Sequence, residues 1–209
     1  MIRGVLFDWC GVLTSDLGEA MRTFARTEGL AEDAFIDYLM LEEAGHAVSV
    51  ATETGEAGQP EFVRAVAERL GVAAEGLMRR ISAPLRPDEQ VLAAVARLRE
   101  RGLATAVVSN SWGTDPYDPY GPWRLEERFD ALVISHAVRL RKPDPRIYRL
   151  ACDVLGLDPR ECVFVDDTAT NLVPARRMGM TAIHHRNSAA TVAALEEVCS
   201  AERPIDHPG

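Results

Sequence analysis

Apolar residues along this chain gather into five short unbroken runs, at 5–7, 104–108, 131–134, 162–165 and 181–184. A strand with one face in water alternates apolar and polar positions, whereas a strand of a parallel sheet covered on both faces reads as continuous apolar sequence. All five runs are of the second kind. Between most of them apolar residues recur at helical spacing. Val91, Leu92, Val95 and Leu98 mark one helix, with Asp88 placed to cap its start and Gly102 just past its end. Asp144-Pro145 opens another with a cap residue and a proline at the first helical position. Ile147, Leu150, Ala151, Val154 and Leu155 form its stripe and Gly156 stops it. Strands alternating with helices predict an α/β fold, a doubly wound parallel Rossmann-like sheet.

The stretch 16–84 breaks that rhythm. It holds no convincing strand but several helical patterns, among them 60–70, where Phe62, Val63, Val66 and Leu70 precede a Gly71 stop. Because it follows the first strand and precedes the second, it reads as a small all-helical cap inserted into a core domain made of 1–15 and 85–209. Placed there, it can cover whatever sits at the end of the first strand. The stretch 113–123, GTDPYDPYGPW, reads as a loop.

Composition narrows the function classes. At 47% hydrophobic and 26% charged the chain has the make-up of a globular protein rather than a disordered one. Its 32 acidic against 23 basic residues give a formal charge of −9, a poor match for nucleic acid or an anionic membrane, so neither is expected as a partner. No apolar run approaches the roughly 20 residues that span a bilayer. The opening MIRGVLFDWC has neither a long apolar run nor a small-residue cleavage site, so no secretory leader is expected. Cys10, Cys152, Cys162 and Cys199 lack metal-binding spacings and suit a reduced, cytoplasmic chain.

In open α/β sheets, ligands bind beyond the carboxyl ends of the strands. The informative polar residues fall there: Asp8 after the first strand, Ser109-Asn110 after the second, Lys142 some way after the third, and Asp166-Asp167 after the fourth. Singly, each is an ordinary turn former or helix cap. Together they place three carboxylates, a hydroxyl and a lysine on one sheet edge. Clustered carboxylates repel and want a cation, and Mg²⁺ takes hard oxygen ligands. One carboxylate can attack phosphorus while Lys142 and the Ser109 hydroxyl hold phosphate oxygens.

The stretches that carry these residues are FDWCGVLT at 7–14, VVSNS at 107–111, RKPDPRIY at 141–148 and VFVDDTATN at 163–171. They resemble, in order, the four motifs of the haloacid dehalogenase superfamily. The continuation LVPARRMGM at 172–180 is similar to the phosphatase domain at the N-terminus of soluble epoxide hydrolases, on the helical-cap branch. The resemblance covers nearly the whole chain. It implies a Mg²⁺-dependent hydrolase acting on a small phosphorylated metabolite through an aspartyl-phosphate at Asp8, as a monomer or homodimer. By the same resemblance Ser109 and Asn110 cradle phosphate and Lys142 balances the carboxylates. The metal would take Asp8, the backbone carbonyl of Cys10, and Asp167, with Asp166 beside it as a supporting or alternative ligand. Asn171 stands where an acid is commoner and would act on the metal site through an ordered water.

One position departs from the pattern. Phosphatases of this superfamily carry a second Asp two residues after the nucleophile, and this chain has Cys10 there. A thiol beside carboxylates stays protonated and is a weak general acid. The departure leaves three readings open: a phosphatase narrowed to substrates with good leaving groups, a binding or regulatory protein that keeps the pocket without turnover, and a 2-haloacid dehalogenase. The Asp166-Asp167 pair argues against the last, since a metal-free dehalogenase gains nothing from it. Cys10 lacks a neighbouring basic group to activate it and reads as a packed thiol. His184-His185 suggests one buried and one exposed imidazole rather than a metal site. Trp9 suits core or pocket equally. The aromatic loop with Tyr117, Tyr120 and Trp123 could overhang the site, and the Arg79-Arg80 and Arg176-Arg177 pairs read as solvated helix charges.

Overall fold

A computed structural model describes residues 1–200. Its centre is a sheet of five parallel strands, β1 (Gly4–Phe7), β2 (Ala104–Ser109), β3 (Ala131–Ile134), β4 (Cys162–Asp166) and β5 (Thr181–His184), in the order β3-β2-β1-β4-β5. The chain builds outward from β1 to β3, then returns to the other side of β1 for β4 and β5. At the β1/β4 boundary the connections leave in opposite directions, which opens a crevice at the carboxyl ends of those two strands.

The strand positions follow the apolar runs, with one correction. β1 and β4 are buried throughout, and β2 beyond its first residue. The outer strands are not: β3 alternates buried and half-buried residues and β5 is half-buried along its length. Both lie at sheet edges, where only one neighbouring strand shields them. Successive side chains of the central strands feed two apolar layers. Val5, Phe7 and Val107 pack with Val91, Val95 and Leu98 of α6 (Glu89–Glu100) and Leu195 of α11 (Ser188–Ser200). On the opposite face, Leu6, Val108 and Phe164 pack with Ile147, Tyr148 and Ala151 of α9 (Pro145–Leu155) and with Leu172 and Ala175 of α10 (Ala169–Arg177). Two short helices, α7 (Leu125–Arg128) and α8 (Ser135–Val138), flank β3.

Local capping works as the sequence suggests. Asp88 accepts from the Val91 N–H at 2.9 Å and Asp144 from the Arg146 N–H at 2.9 Å. Gly156 ends α9 at φ 68°, in the left-handed region that favours glycine.

Between β1 and α6 run five helices: α1 (Leu17–Thr27), α2 (Ala34–Leu41), α3 (Glu43–Glu53), α4 (Gln59–Leu70) and α5 (Leu77–Ser82). They bury a core of their own around Phe24, Phe35, Phe62, Val66, Leu77 and Ile81. The chain enters and leaves this helical segment along paired backbones. The Ser15 N–H donates to the Arg86 carbonyl at 2.8 Å and the Asp88 N–H to the Leu13 carbonyl at 2.9 Å. Arg79 and Arg80 are not simply solvated: Arg80 Nε donates to Glu28 at 2.8 Å and Arg79 lies 5.6 Å from the Tyr117 ring centre. Among the described residues no helix is long and apolar enough to cross a membrane.

Candidate active site

β1 and β4 are hydrogen-bonded neighbours with Phe7 opposite Val165, so Asp8 and Asp166-Asp167 emerge side by side. Asp8, Asp166 and Asp167 can each bring one carboxylate oxygen within 4.8 Å of the others. Gly11 permits this. It sits at φ 79°, and a Cβ there would stand 2.3 Å from Asp167 Oδ2, so any side chain would displace that carboxylate.

Lys142 is the cation of the cluster. Its Nζ lies 2.7 Å from Asp8 Oδ1 and 2.7 Å from Asp166 Oδ2, with its side chain only 1% exposed. The Phe164 ring, 5.7 Å away, faces the same ammonium. Asn110 fixes the lysine backbone with two hydrogen bonds: Oδ1 accepts from the Lys142 N–H at 2.8 Å and Nδ2 donates to its carbonyl at 3.1 Å. The Asn110 amide thus helps to place Lys142.

The two acids after β4 are in different circumstances. Asp166 is fully buried and saturated. Its Oδ1 accepts from the Thr168 N–H at 2.8 Å and from Asn171 Nδ2 at 3.0 Å, while Oδ2 accepts from Lys142. Asp167 is half-buried and receives one long bond, from Thr168 Oγ1 at 3.3 Å. Asn171 meets the cluster by donating directly to Asp166. The backbone of Asp167 is held by His184, whose Nε2 lies 2.8 Å from its carbonyl, and His185 Nδ1 lies 3.0 Å from Thr191 Oγ1. Both imidazoles are half-buried with partners, rather than one buried and one exposed.

Electrostatics follow from crowding like charges in a dry place. Burial, opposed by Lys142 and reinforced by Asp166 and Asp167, raises Asp8 to about 7. Burial also lifts Asp167, with Asp166 adding to it. Burial alone would lower Lys142, but Asp8 and Asp166 outweigh it and hold the lysine above its ordinary value. The Cys10 thiol is pushed far up, first by burial and then by Asp8, so it stays protonated.

Ser109 ends β2 with 1% exposure, its Oγ 2.9 Å from the Tyr120 hydroxyl. Tyr120 in turn packs on Trp9 with ring centres 4.4 Å apart, and Trp123 meets Trp9 edge-on at 5.9 Å. The aromatic loop thus reaches into the strand ends instead of lying free. What aims it has no signature in the sequence. Gln59 at the start of α4 is 2% exposed, and its Nε2 donates to the carbonyls of Gly113 and Tyr117, each at 2.9 Å, while its Oε1 accepts from the Tyr117 N–H at 3.0 Å. Trp112 stacks on Phe62 with ring centres 4.6 Å apart and donates from Nε1 to Ser49 at 2.9 Å. Glu53 of α3, 8% exposed, lies 2.6 Å from Arg141 Nε, one residue from Lys142. A polar residue at a helix start, like Gln59, carries no signal of a long-range bond; only the fold brings its partners to it.

Comparison with known proteins decides the family. The family described as haloacid dehalogenase-like hydrolase matches residues 2–179, most of the chain. The chain belongs to it. A curated relative is bifunctional epoxide hydrolase 2 of Rattus norvegicus, 38% identical over 121 residues, which are 56% of this chain and 22% of that protein. The chain therefore matches well under two thirds of that relative's length. Among solved structures, a HAD family enzyme of Bacteroides thetaiotaomicron in complex with magnesium and inorganic phosphate shares the fold, with a TM-score of 0.68 and 22% identity over 89% of this chain and 95% of that one. So does L-2-haloacid dehalogenase of Xanthobacter autotrophicus with chloropropionic acid covalently bound, at TM-score 0.67 and 23% identity over 98% of this chain and 86% of that one.

Proposed function

We propose that this hydrolase is a Mg²⁺-dependent phosphatase for a small phosphorylated metabolite, with Asp8 as nucleophile. The observation that carries the reading is the meeting of Asp8, Asp166 and Asp167 within 4.8 Å around a buried lysine. A metal-free dehalogenase has no use for three clustered acids, whereas a divalent cation would offset the burial that raises Asp8 and the repulsion from Asp166 and Asp167 that adds to it. The phosphate-bound Bacteroides relative is consistent with this reading.

The donor set suits Mg²⁺. Asp8 and Asp167 would be its carboxylate ligands, with the Cys10 carbonyl a third. Asp166, already saturated by Lys142, Thr168 and Asn171, would anchor the lysine instead. The bound ion would supply charge neutralisation at the phosphoryl group. Asp8 then attacks phosphorus, the bond from phosphorus to the leaving oxygen breaks, and an acyl phosphate forms on Asp8. Water attacks that phosphorus, releasing phosphate and restoring the carboxylate. Lys142 offsets the negative charge throughout. The Cys10 thiol holds its proton and neither protonates the leaving group nor activates water, so substrates with stable leaving anions, such as anomeric, aryl or acyl phosphates, are favoured. The helical segment 16–84 serves as the cap over a core of 1–15 and 85–209, and together with the aromatic loop it selects the substrate.

The test is phosphate release from a panel of phosphorylated metabolites with Mg²⁺ and with chelator. Turnover that chelation abolishes and Asp8→Asn eliminates is the expected result. Halide release from 2-haloacids that survives chelation overturns the reading in favour of a dehalogenase. Tight phosphate binding with no turnover on any substrate overturns it in favour of a binding protein.

A further inference from the structure

The hydroxyl of Ser109 has two partners, the carbonyl of Asn110 and the Tyr120 hydroxyl, and in the second pair either group can donate. Its one hydrogen has the carbonyl of Asn110 in reach at 3.3 Å, a long contact within adjacent residues. Its oxygen lies 2.9 Å from the Tyr120 hydroxyl, a group that can donate to it. Tyr120 is not there by chance of a loose loop. It is 7% exposed, its N–H is turned onto Asp118 Oδ1 at 2.8 Å, its ring lies on Trp9, and Gln59 pins the loop three residues upstream at Tyr117. The loop that carries it is thereby tied to α4 of the helical segment and to the residue after the nucleophile.

We propose that Tyr120 is a positioning residue for the phosphate cradle: it donates to Ser109 Oγ and so turns the Ser109 hydrogen toward an incoming phosphate oxygen. A hydroxyl that accepts one hydrogen bond is a stronger donor of its own hydrogen. The inference rests on the phosphatase reading of Ser109, and it adds a residue outside the four motifs to the site. It also gives the aromatic loop a role in binding, because a side chain from the segment after β2 sets the polarity of a strand-end hydroxyl.

The experiment is a ³¹P NMR titration of inorganic phosphate, with Mg²⁺ present, into the unaltered protein, Tyr120→Phe, Ser109→Ala and the double variant. Tyr120→Phe keeps the ring on Trp9 and removes only the hydroxyl, so its melting temperature serves as the folding control. One neutral hydrogen bond is worth a factor of about three to ten in affinity. The expected result is that Tyr120→Phe weakens phosphate by about that factor at near-unchanged melting temperature. The double variant should then bind as Ser109→Ala does, because the tyrosine acts only through the serine. With a turned-over substrate, KM should rise by the same factor while kcat changes less. A Tyr120→Phe affinity within twofold of the unaltered protein overturns the proposal, as does a double variant weakened by the product of the single effects. Failure of the unaltered protein to bind phosphate at all overturns the phosphatase reading of the cradle, and this inference with it.

Discussion

Holding a nucleophile charged in a dry cluster of acids costs stability, and Asp8→Asn in metal-free protein measures that cost. Burial among Asp166 and Asp167 raises Asp8 to about 7 even with Lys142 at 2.7 Å. The unfolded value is that of an ordinary aspartate, about 4. A carboxyl whose folded pKa lies above its unfolded one binds its proton more tightly when folded, so stability falls as pH rises between the two values. The penalty is absent below about pH 4, grows from there to about 7, and is complete above. Three pH units at about 1.4 kcal/mol each give a ceiling of about 4 kcal/mol. Asparagine imitates the neutral carboxyl and can still accept from Lys142 and from the Trp9 N–H, which donates to Asp8 Oδ1 at 2.6 Å. The variant should therefore be more stable than the unaltered protein at pH 8, by about 2–4 kcal/mol. For a chain of this size that is roughly 5–15 °C in melting temperature. By pH 5 the linkage relation shrinks the gap to about a third. Thermal unfolding at both pH values, with chelator throughout, is the assay. Added Mg²⁺ should stabilise the unaltered protein and close the gap at pH 8, since binding to the folded state alone adds stability. A variant no more stable at pH 8, or a gap of equal size at pH 5, refutes the electrostatic account of the cluster.

Two further substitutions probe the chemistry and the frame around it. Cys10→Asp supplies the missing general acid, a contribution typically worth 10²–10⁴-fold. Hydrolysis of alkyl phosphates should rise by about a hundredfold or more while aryl phosphates gain little, and equal gains on both would show that leaving-group protonation is not what the thiol lacks. Gln59→Leu removes three hydrogen bonds to the 113–117 loop, each worth about 1 kcal/mol. The melting temperature should fall by roughly 4–12 °C, and the Tyr117 amide should lose its protection from hydrogen exchange; unchanged exchange at Tyr117 would show that α4 does not hold the loop.

Much of the molecule is legible in the sequence, because its signals are local. An unbroken apolar run marks where a strand of the sheet lies, and Asp88, Asp144 and Gly156 mark where helices begin and end. The carboxyl-end rule for α/β sheets then gathers Asp8, Lys142 and Asp166-Asp167 from distant parts of the chain onto one edge. That rule needs only the order of elements.

What tertiary structure alone decided is partnership. The chain does not say that Asp166 is saturated while Asp167 is nearly free, since both are Asp after the same strand; backbone direction and the placement of Asn171 separate them. It does not say that the edge strands β3 and β5 are only partly buried, because apolar content cannot reveal which strands end up outermost. Gln59, Glu53 and Tyr120 gave no warning of their bonds to Tyr117, Arg141 and Ser109. A hydrogen bond between distant residues has no periodicity and leaves no pattern along the chain; it exists only where packing of the helical segment against the sheet brings donor and acceptor within about 3 Å.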